Sequence, residues 1–440
     1  MTEPLPSMAR GACPALARPM LTGDGYLSRV ALQAAIGPAA LAGLAALALR
    51  HGNGILDISA RGNLQIRGLT EASAAALEAD VRALDLPLRE GLAVEWTPLA
   101  GLDPAEAVDP RPLGATIIAA ARAVQGELAP KLSVVIETGG LIRLDHLLAD
   151  IRLVAAPTAD GLRWRVLLGG TAKTGTTLGL VADGDAAELV GGLLVHLSTQ
   201  GPRARGRDLE PANLPASLLA LLSSGESTVA ESPAPPFGIF ALTAGLHALR
   251  VALPFGQMRA EDLAALTAQA ARAGILSLKP APDHALIAVG SRTACEALEL
   301  AARAAHLLVR AGEPLAEIAA CPGAPACRSA RLETHSLGRL AAEQAPLLFD
   351  GSVRLHLSGC QKGCAHPTPS TLAFAGTEGA THLVFEGKTT DTPLKRLAPR
   401  TEAAALSALS ELMRLERRPG ETSRDCLLRL GPRRIEAALA

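Results

Sequence analysis

The sequence is short of aromatic residues and has almost no net charge. Its 440 residues include six phenylalanines, two tryptophans and one tyrosine, and the formal net charge is -1. Nucleic-acid-binding surfaces usually combine clustered basic residues with aromatic stacking platforms, and no such stretch occurs here. We therefore predict no nucleic-acid partner.

Export signals and long apolar runs are also lacking. Residues 1–20 contain no continuous apolar core of the kind found in signal peptides. The best candidate for a membrane span, residues 31–50, is interrupted by Gln33, Gly37 and Pro38. Because proline is well tolerated in the first turn of a helix, this stretch predicts a half-buried helix beginning near Pro38. We expect a cytoplasmic protein without a membrane partner.

A dinucleotide-binding motif is missing as well. No G-x-G-x-x-G follows a predicted strand, and the glycines of residues 181–194 have a different spacing. If the protein carries out redox chemistry, we therefore expect its electrons to come from an external reductase.

An internal repeat is the clearest positive feature of the chain. Residues 29–69 and 250–291 both begin with "RVAL" and continue as a helical Ala/Leu segment, a "GIL" strand and a second strand. A fainter pair, residues 131–182 and 352–387, predicts a β-rich hairpin after a glycine-containing turn in each copy. The repeats predict a duplicated α+β architecture, with two small and two larger units in a pseudo-twofold arrangement.

The domain boundaries follow from this order. We predict a first small unit at residues 1–97 and a first larger α+β unit at residues 98–222. A linker rich in Ser, Pro and Gly follows at residues 223–238. The second small unit then spans residues 239–312, and the second larger unit, which holds most of the cysteines, spans residues 313–440.

Four of the seven cysteines form two pairs. Cys321 and Cys327 stand in a C-x5-C motif, and Cys360 and Cys364 in a C-x3-C motif. The odd number of cysteines and the lack of an export signal argue against a disulfide framework. Four thiolates from two chain segments suit either zinc or an iron–sulfur cluster.

The surroundings of the two pairs favour a [4Fe–4S] cluster. Structural zinc sites usually use C-x2–4-C knuckles, and the first pair here is more widely spaced. Gly323 and Gly363 leave room for backbone amides to approach cluster sulfurs. Zinc and unrelated buried cysteines remain the alternatives. Cys295 and Cys426 lack such surroundings and are expected to be inert apolar residues, whereas the role of Cys13 stays open.

This cysteine pattern resembles that of the sirohaem/[4Fe–4S] sulfite and nitrite reductase family. The resemblance implies two ferredoxin-like small units, a cluster held by all four cysteines, and Cys364 as the residue that bridges cluster and sirohaem iron. Residues 59–68 resemble the family's strand with a T/S-R-x-x-x-Q element, which places Arg61 and Gln65 at the matching positions. Lys131 matches the family's anion-binding lysine.

The resemblance makes Arg61 and Lys131 candidate catalytic residues that also bind substrate. Arginine offers carboxylates a planar two-pronged donor, and lysine offers a point charge. Gln65 and Arg67 are further substrate-binding candidates, because they share one face of the same predicted strand. In the second repeat Pro282 stands near the position of Arg61, so we expect the first small unit to carry more of the substrate chemistry.

This chain differs from the reductases at two active-site positions that carry cationic residues in those enzymes. Their active sites contain a second lysine two residues after the first, where this chain has Ser133, and a second arginine. No convincing second arginine stands in residues 89–101. Because reduction of a small anion needs dense positive charge and proton donors, these losses argue against a sulfite or nitrite reductase, which remains the alternative function. Whether sirohaem is bound stays open.

Residues 10–30 and 358–367 resemble one branch of this family, the precorrin-3B synthases of aerobic cobalamin synthesis. That resemblance implies an O2- and NADH-dependent monooxygenase that hydroxylates precorrin-3A at C20 and forms a γ-lactone. It also implies a separate non-haem iron. His356 and His366 are candidate ligands, although neither forms a recognisable triad with Asp or Glu.

Overall fold

The structure, a computed structural model, describes residues 14–225 and 236–439. Cys13 and residues 226–235 of the predicted linker lie outside the described residues. The described strands form four sheets, each accompanied by helices, which confirms the predicted α+β class. In the described part of the chain, no helix has both the length and the apolar character needed to cross a membrane.

The first sheet belongs to the N-terminal unit and is antiparallel, in the order β1-β2-β4-β3-β13. Its strands are β1 (Met20–Thr22), β2 (Gly25–Val30), β3 (Ile55–Ile58), β4 (Leu64–Leu69) and β13 (Gln257–Arg259). Two helices pack against it, α1 (Pro38–His51) and α2 (Glu71–Ala83). Helix α1 begins at Pro38, as predicted, because the first turn needs no N–H from that position.

The third sheet repeats the first, in the antiparallel order β11-β12-β15-β14. Its strands are β11 (Gly238–Ala241), β12 (His247–Ala252), β14 (Ser277–Ala281) and β15 (Ala285–Gly290). Its helices are α6 (Ala260–Ala273) and α7 (Arg292–Ala304). Both copies of the "RVAL" repeat thus fold as strand, helix, strand and strand, which confirms the predicted duplication.

The two small units share one apolar core. Helix α1 packs against α6, and strand β13 of the second half pairs with β3 of the first. Arg61 forms an isolated antiparallel bridge with Pro282, its counterpart in the repeat. Since equivalent residues meet only near a twofold axis, this bridge marks the pseudo-twofold axis of the molecule.

The second sheet forms the first larger unit, in the order β10-β9-β8-β7-β6-β5. Its strands are β5 (Ala93–Trp96), β6 (Ser133–Glu137), β7 (Ile151–Thr158), β8 (Gly161–Leu168), β9 (Thr176–Ala182) and β10 (Leu222–Ser223). Its helices are α3 (Arg111–Ala121), α4 (Ala186–Thr199) and α5 (Ala216–Leu219). Strands β5, β6 and β7 are parallel, and the remaining pairings are antiparallel.

The fourth sheet repeats this pattern, with β16, β17 and β18 parallel and the following pairings antiparallel. Its strands are β16 (Ile318–Ala320), β17 (Leu355–Ser358), β18 (Ser370–Thr377), β19 (Ala380–Gly387) and β20 (Lys395–Leu397). Its helices are α8 (Thr334–Gln344), α9 (Glu402–Glu416) and α10 (Ser423–Ala438). The larger unit is therefore duplicated as well.

Candidate functional site

The topology of the fourth sheet brings the two cysteine pairs together. Cys321 directly follows β16, and Cys360 follows β17 after one intervening residue. Because these strands are parallel neighbours, both cysteines leave the sheet at the same edge. Cys327 and Cys364 lie in the loops that continue from them. Burial raises the pKa of Cys364, and so do the charges of the other three cysteines, which places all four thiols within electrostatic range.

The arrangement fits a cluster better than a single metal ion. Among the described residues, no three His, Cys, Asp or Glu side chains stand close enough to bind one ion, whereas zinc needs four ligands at about 2.0–2.3 Å. A [4Fe–4S] cluster takes one thiolate at each separate iron. The backbone N–H of Gly359 already donates to the Sγ of Cys321 at 3.1 Å, and amides directed at sulfur are the usual surroundings of such clusters.

Glycine is required beside the second cysteine pair. Gly363 adopts a positive φ of +64°, and a Cβ there would lie 2.6 Å from the Oγ1 of Thr389. A larger residue would therefore be strained in backbone and in packing alike. The constraint at Gly363 comes from its φ and from Thr389, and the approach of its amide to a cluster sulfur stays a prediction.

The two candidate iron-ligand histidines lie close together. His356 on β17 is fully buried, and neither of its ring nitrogens has a hydrogen-bond partner. Burial lowers its pKa to about 4, helped by the charge of His366, whose ring centroid is 5.8 Å away. His366 in turn contacts the hydroxyl of Thr368 at 2.9 Å. Within the described residues no carboxylate completes a metal group with them, so the non-haem iron remains a prediction without a ligand set there.

A large cleft lies beside the first small unit. Its volume is about 1170 Å³, above the roughly 300–1,000 Å³ of ordinary small-molecule sites. Two acidic residues, Glu90 and Glu95, line it. The basic residues that line it are Arg18, Arg29, Arg61, Arg82, Arg89, Lys131 and Arg205. Both predicted catalytic residues, Arg61 and Lys131, are thus brought to one cleft, whose size and positive charge suit a large polycarboxylate.

Glu95 orients two arginines at the inner wall of the cleft. Arg61 donates to both carboxylate oxygens of Glu95 and, at 2.7 Å, to the carbonyl of Leu148. Arg89 donates to Glu95 at 3.0 Å and to the side chain of Asn63 at 2.8 Å. Burial lowers the pKa of Arg89. Arg89 is the first residue of the segment in which the sequence shows no convincing second arginine of the reductase type, and the loss of that arginine stays a prediction.

Three other basic residues of the cleft are available to a ligand. Within the described part of the chain, no carboxylate pairs with Arg18, Arg29 or Lys131. Arg18 and Lys131 are exposed, and the Nε of Arg29 is buried without a hydrogen-bond partner. The sequence analysis did not single out Arg29, although the signal was present, because it is the first residue of the repeated "RVAL".

The two other predicted substrate-binding residues lie off the cleft. Gln65 pairs across the sheet with Arg29 and with Asp57, so it faces the same side of the sheet as Arg29 without lining the cleft. Arg67 faces that side too, but it donates to Asp24 and Asp57 at 2.7–2.8 Å. Arg67 therefore ties β1 and β2 to the sheet, and the geometry of the cleft gives no support to a substrate contact.

Comparisons with known proteins agree with these features. Residues 18–84 match the nitrite/sulfite reductase ferredoxin-like half domain. A curated precorrin-3B synthase from Sinorhizobium sp is 40% identical over 437 residues, which are 98% of this chain and 95% of that protein. This chain belongs to the precorrin-3B synthase family.

A solved structure shows the same fold as this precorrin-3B synthase family member. The NirA protein of Mycobacterium tuberculosis superposes with a TM-score of 0.73 and covers 93% of this chain and 84% of its own. The two sequences are 20% identical, so the likeness concerns the fold. It confirms the duplicated reductase-like architecture predicted from the repeats.

One hairpin of this family member touches both candidate regions. Residues 14–21 line the cationic cleft, and the β1–β2 turn that follows contains Gly23. A Cβ on Gly23 would lie 2.4 Å from the Sγ of Cys327, and the backbone N–H of Arg328 donates to the Gly23 carbonyl at 3.2 Å. The hairpin therefore links the cleft of the first half to the cysteine loops of the second.

Proposed function

We propose that this protein catalyses the precorrin-3B synthase reaction of aerobic cobalamin biosynthesis. In that reaction precorrin-3A is hydroxylated at C20 and a γ-lactone forms. The observation that carries the proposal is the cleft of about 1170 Å³ with its seven basic side chains. Precorrin-3A is a tetrapyrrole bearing many acetate and propionate groups, so its charge complements that of the cleft. The 40% identity to a precorrin-3B synthase supports the same assignment.

Substrate carboxylates are bound by the unpaired cations of the cleft. Arg18 and Arg29 offer planar donors that hold a carboxylate by two hydrogen bonds, and Lys131 offers a mobile point charge. Leu148 exposes 66% of its surface inside the same cleft and gives the macrocycle an apolar contact. Arg61 lies beside it, fixed by Glu95.

Lactone formation depends on a carboxylate held in one orientation. The ring closes when an acetate oxygen bonds to a carbon of the macrocycle, and fixing the two reacting atoms close together lowers the barrier. Arg61 and Arg89 are themselves held by Glu95, so they form a rigid wall against which the acetate is oriented. Lys131, an exposed residue of the same cleft, neutralises another carboxylate.

A [4Fe–4S] cluster held by Cys321, Cys327, Cys360 and Cys364 would supply electrons when bound. The overall reaction needs two electrons and two protons, because one atom of O2 enters the product and the other leaves as water. NADH supplies the electron pair through an external reductase. The backbone N–H of Gly359, which donates to the Sγ of Cys321, would stabilise negative charge on that sulfur.

The test begins with anaerobic purification and analysis of iron and acid-labile sulfide. Precorrin-3A, O2, NADH and a reductase are then added, and the product is followed by mass spectrometry. We expect a product that has gained one oxygen atom, and no strong visible bands of sirohaem before substrate is added. Sulfite or nitrite reduction without an oxygenated tetrapyrrole would instead support the sirohaem reductase and reject the proposal.

A further inference from the structure

A second, smaller cavity adjoins the cationic cleft. Its volume is about 40 Å³, and it shares Arg61, Asn63, Arg89 and Glu95 with the cleft. The second small unit contributes Lys279. The first larger unit contributes Leu144 and Leu147, and Pro282 lines the cavity beside Arg61. The cavity thus forms where three of the four units meet, next to the pseudo-twofold axis.

The cavity has room for a few atoms only. One water molecule needs about 10–15 Å³ of such volume, so the space holds roughly three water-sized groups. A carboxylate with its methylene fits these limits, and a pyrrole ring does not. A carboxylate on one further methylene would have to push its head group into the surrounding side chains or leave the cavity.

The charge of the cavity favours an anion. Arg61, Arg89 and Lys279 contribute three positive charges, and Glu95 contributes one negative charge. Both arginines already donate to Glu95. Lys279 differs, because among the described residues the partner of its Nζ is the carbonyl of Gln33, at 3.0 Å.

Lys279 therefore has donors to spare. An ammonium group carries three N–H donors, and the Gln33 carbonyl uses one. Burial lowers the pKa of Lys279 to about 8, and the nearby charge of Arg89 lowers it as well. A buried cation of this kind gains most from a carboxylate that enters beside it.

We propose that this cavity, here called the acetate pocket, binds one acetate arm of a tetrapyrrole whose ring lies in the cationic cleft, with Lys279 as its charge partner. The inference rests on the proposed function, which places a tetrapyrrole in that cleft. The pocket distinguishes acetate from propionate arms by length. It therefore determines which way round the macrocycle is seated, because the two kinds of arm occupy different ring positions.

Two stable porphyrins test the pocket. Uroporphyrin III carries acetate and propionate arms, whereas coproporphyrin III has methyl groups in place of the acetates. Dissociation constants are measured by fluorescence titration for the full chain. We expect the wild-type protein to prefer uroporphyrin, and Lys279→Met to reduce that preference about tenfold while leaving coproporphyrin binding unchanged. Lys131→Met, at the exposed rim, is the matched control and should weaken both porphyrins alike.

The salt dependence of binding distinguishes the contribution of the pocket from the general electrostatic attraction of the cleft. Raising the salt concentration from about 0.15 M to about 0.5 M shortens the screening length from about 8 Å to about 4 Å, which weakens exposed contacts more than enclosed ones. The preference of the wild-type protein should persist. A preference that vanishes in salt, or that Lys131→Met removes as fully as Lys279→Met, overturns the acetate pocket. Equal binding of both porphyrins also overturns it, whereas failure of both to bind overturns the proposed function itself.

Discussion

The two halves of the molecule share one scaffold but present different surfaces at equivalent positions. Arg29 in β2 and Arg250 in β12 are each the first residue of an "RVAL" segment. Arg29 lines the open cleft, whereas Arg250 is 3% exposed and lies 4.4 Å from the ring of Phe237. Arg61 faces Pro282, which carries no charge. The duplicated scaffold therefore keeps an open, basic surface in the first small unit and closes the corresponding surface in the second.

Between the two larger units, it is the second that carries the paired cysteines. In the second half, strands β16 and β17 are parallel neighbours. Cys321 directly follows β16, and Cys360 follows β17 after one intervening residue. In the first half the corresponding parallel strands β5 and β6 lead into Thr97 and Thr138. The basic residues of the cleft thus lie in the first half and the paired cysteines in the second. The comparison teaches that duplication allowed each half to specialise while the fold stayed the same.

The largest effect is expected from the cysteines of the second half. Cys360→Ser or Cys364→Ser should abolish cluster content and activity together, because a serine hydroxyl is a poor substitute for a thiolate on iron. Iron, acid-labile sulfide and product formation are measured on each variant. Cys426→Ala is the control, since Cys426 is buried in the apolar core of the same unit and should leave the cluster intact. An intact cluster in Cys360→Ser would contradict the ligand assignment.

The arginine pair Arg29 and Arg250 tests the difference between the halves directly. Arg29→Gln should lower uroporphyrin affinity about tenfold, because a charge-assisted hydrogen bond contributes about 1.5–3 kcal/mol. Arg250→Gln should leave that affinity unchanged, since Arg250 is buried under Phe237 and lies 3.6 Å from Asp283. The uroporphyrin affinity of both variants is measured by fluorescence titration, and thermal unfolding checks that each variant is folded. Equal losses of affinity would remove the distinction between the two halves.

Gly23 tests how the halves are joined. In Gly23→Ala the new Cβ would stand 2.4 Å from the Sγ of Cys327, so the hairpin or the cysteine loop has to move. Overpacking of this kind costs about 1–3 kcal/mol. We expect a large loss of cluster content relative to the wild-type protein, measured as iron and sulfide per chain.

Gly184→Ala is the matched control for Gly23→Ala. No atom lies within 4 Å of the position that its Cβ would take, so the cluster content should not change. A full complement of iron in Gly23→Ala, or an equal loss in Gly184→Ala, would show that the hairpin contact does not support the cysteine loops.

The fold could be predicted from the sequence because the duplicated segments share the same spacing of apolar residues. Pro38 predicted the start of α1, and the repeated "RVAL" segments predicted equivalent strands. These features depend on local pattern, which a single sequence displays.

The sequence was less informative about the charges of the site. Arg89 and Lys279 carry no motif, and they meet only because the first and second small units pack around one axis. The face of Arg67 was predicted correctly, yet its partners Asp24 and Asp57 come from the β1–β2 turn and from β3. Long-range contacts of this kind decide whether a cation binds a ligand or ties the fold together, and strand periodicity does not report them.

The smallest expected effect concerns pH and the one basic residue that the second half contributes to the acetate pocket. The pKa of Lys279 is lowered to about 8 by burial and by the charge of Arg89, against the opposing effect of Glu95. Below that value Lys279 is charged and attracts an acetate arm, and above it the charge is lost. The preference for uroporphyrin should therefore be nearly constant below roughly pH 7 and fall about threefold by roughly pH 8.5. Because Arg61, Arg89 and Glu95 face the same pocket, Lys279→Met is measured in parallel. A flat profile in that variant assigns the change to Lys279, whereas the same decline in both proteins would assign it to another group.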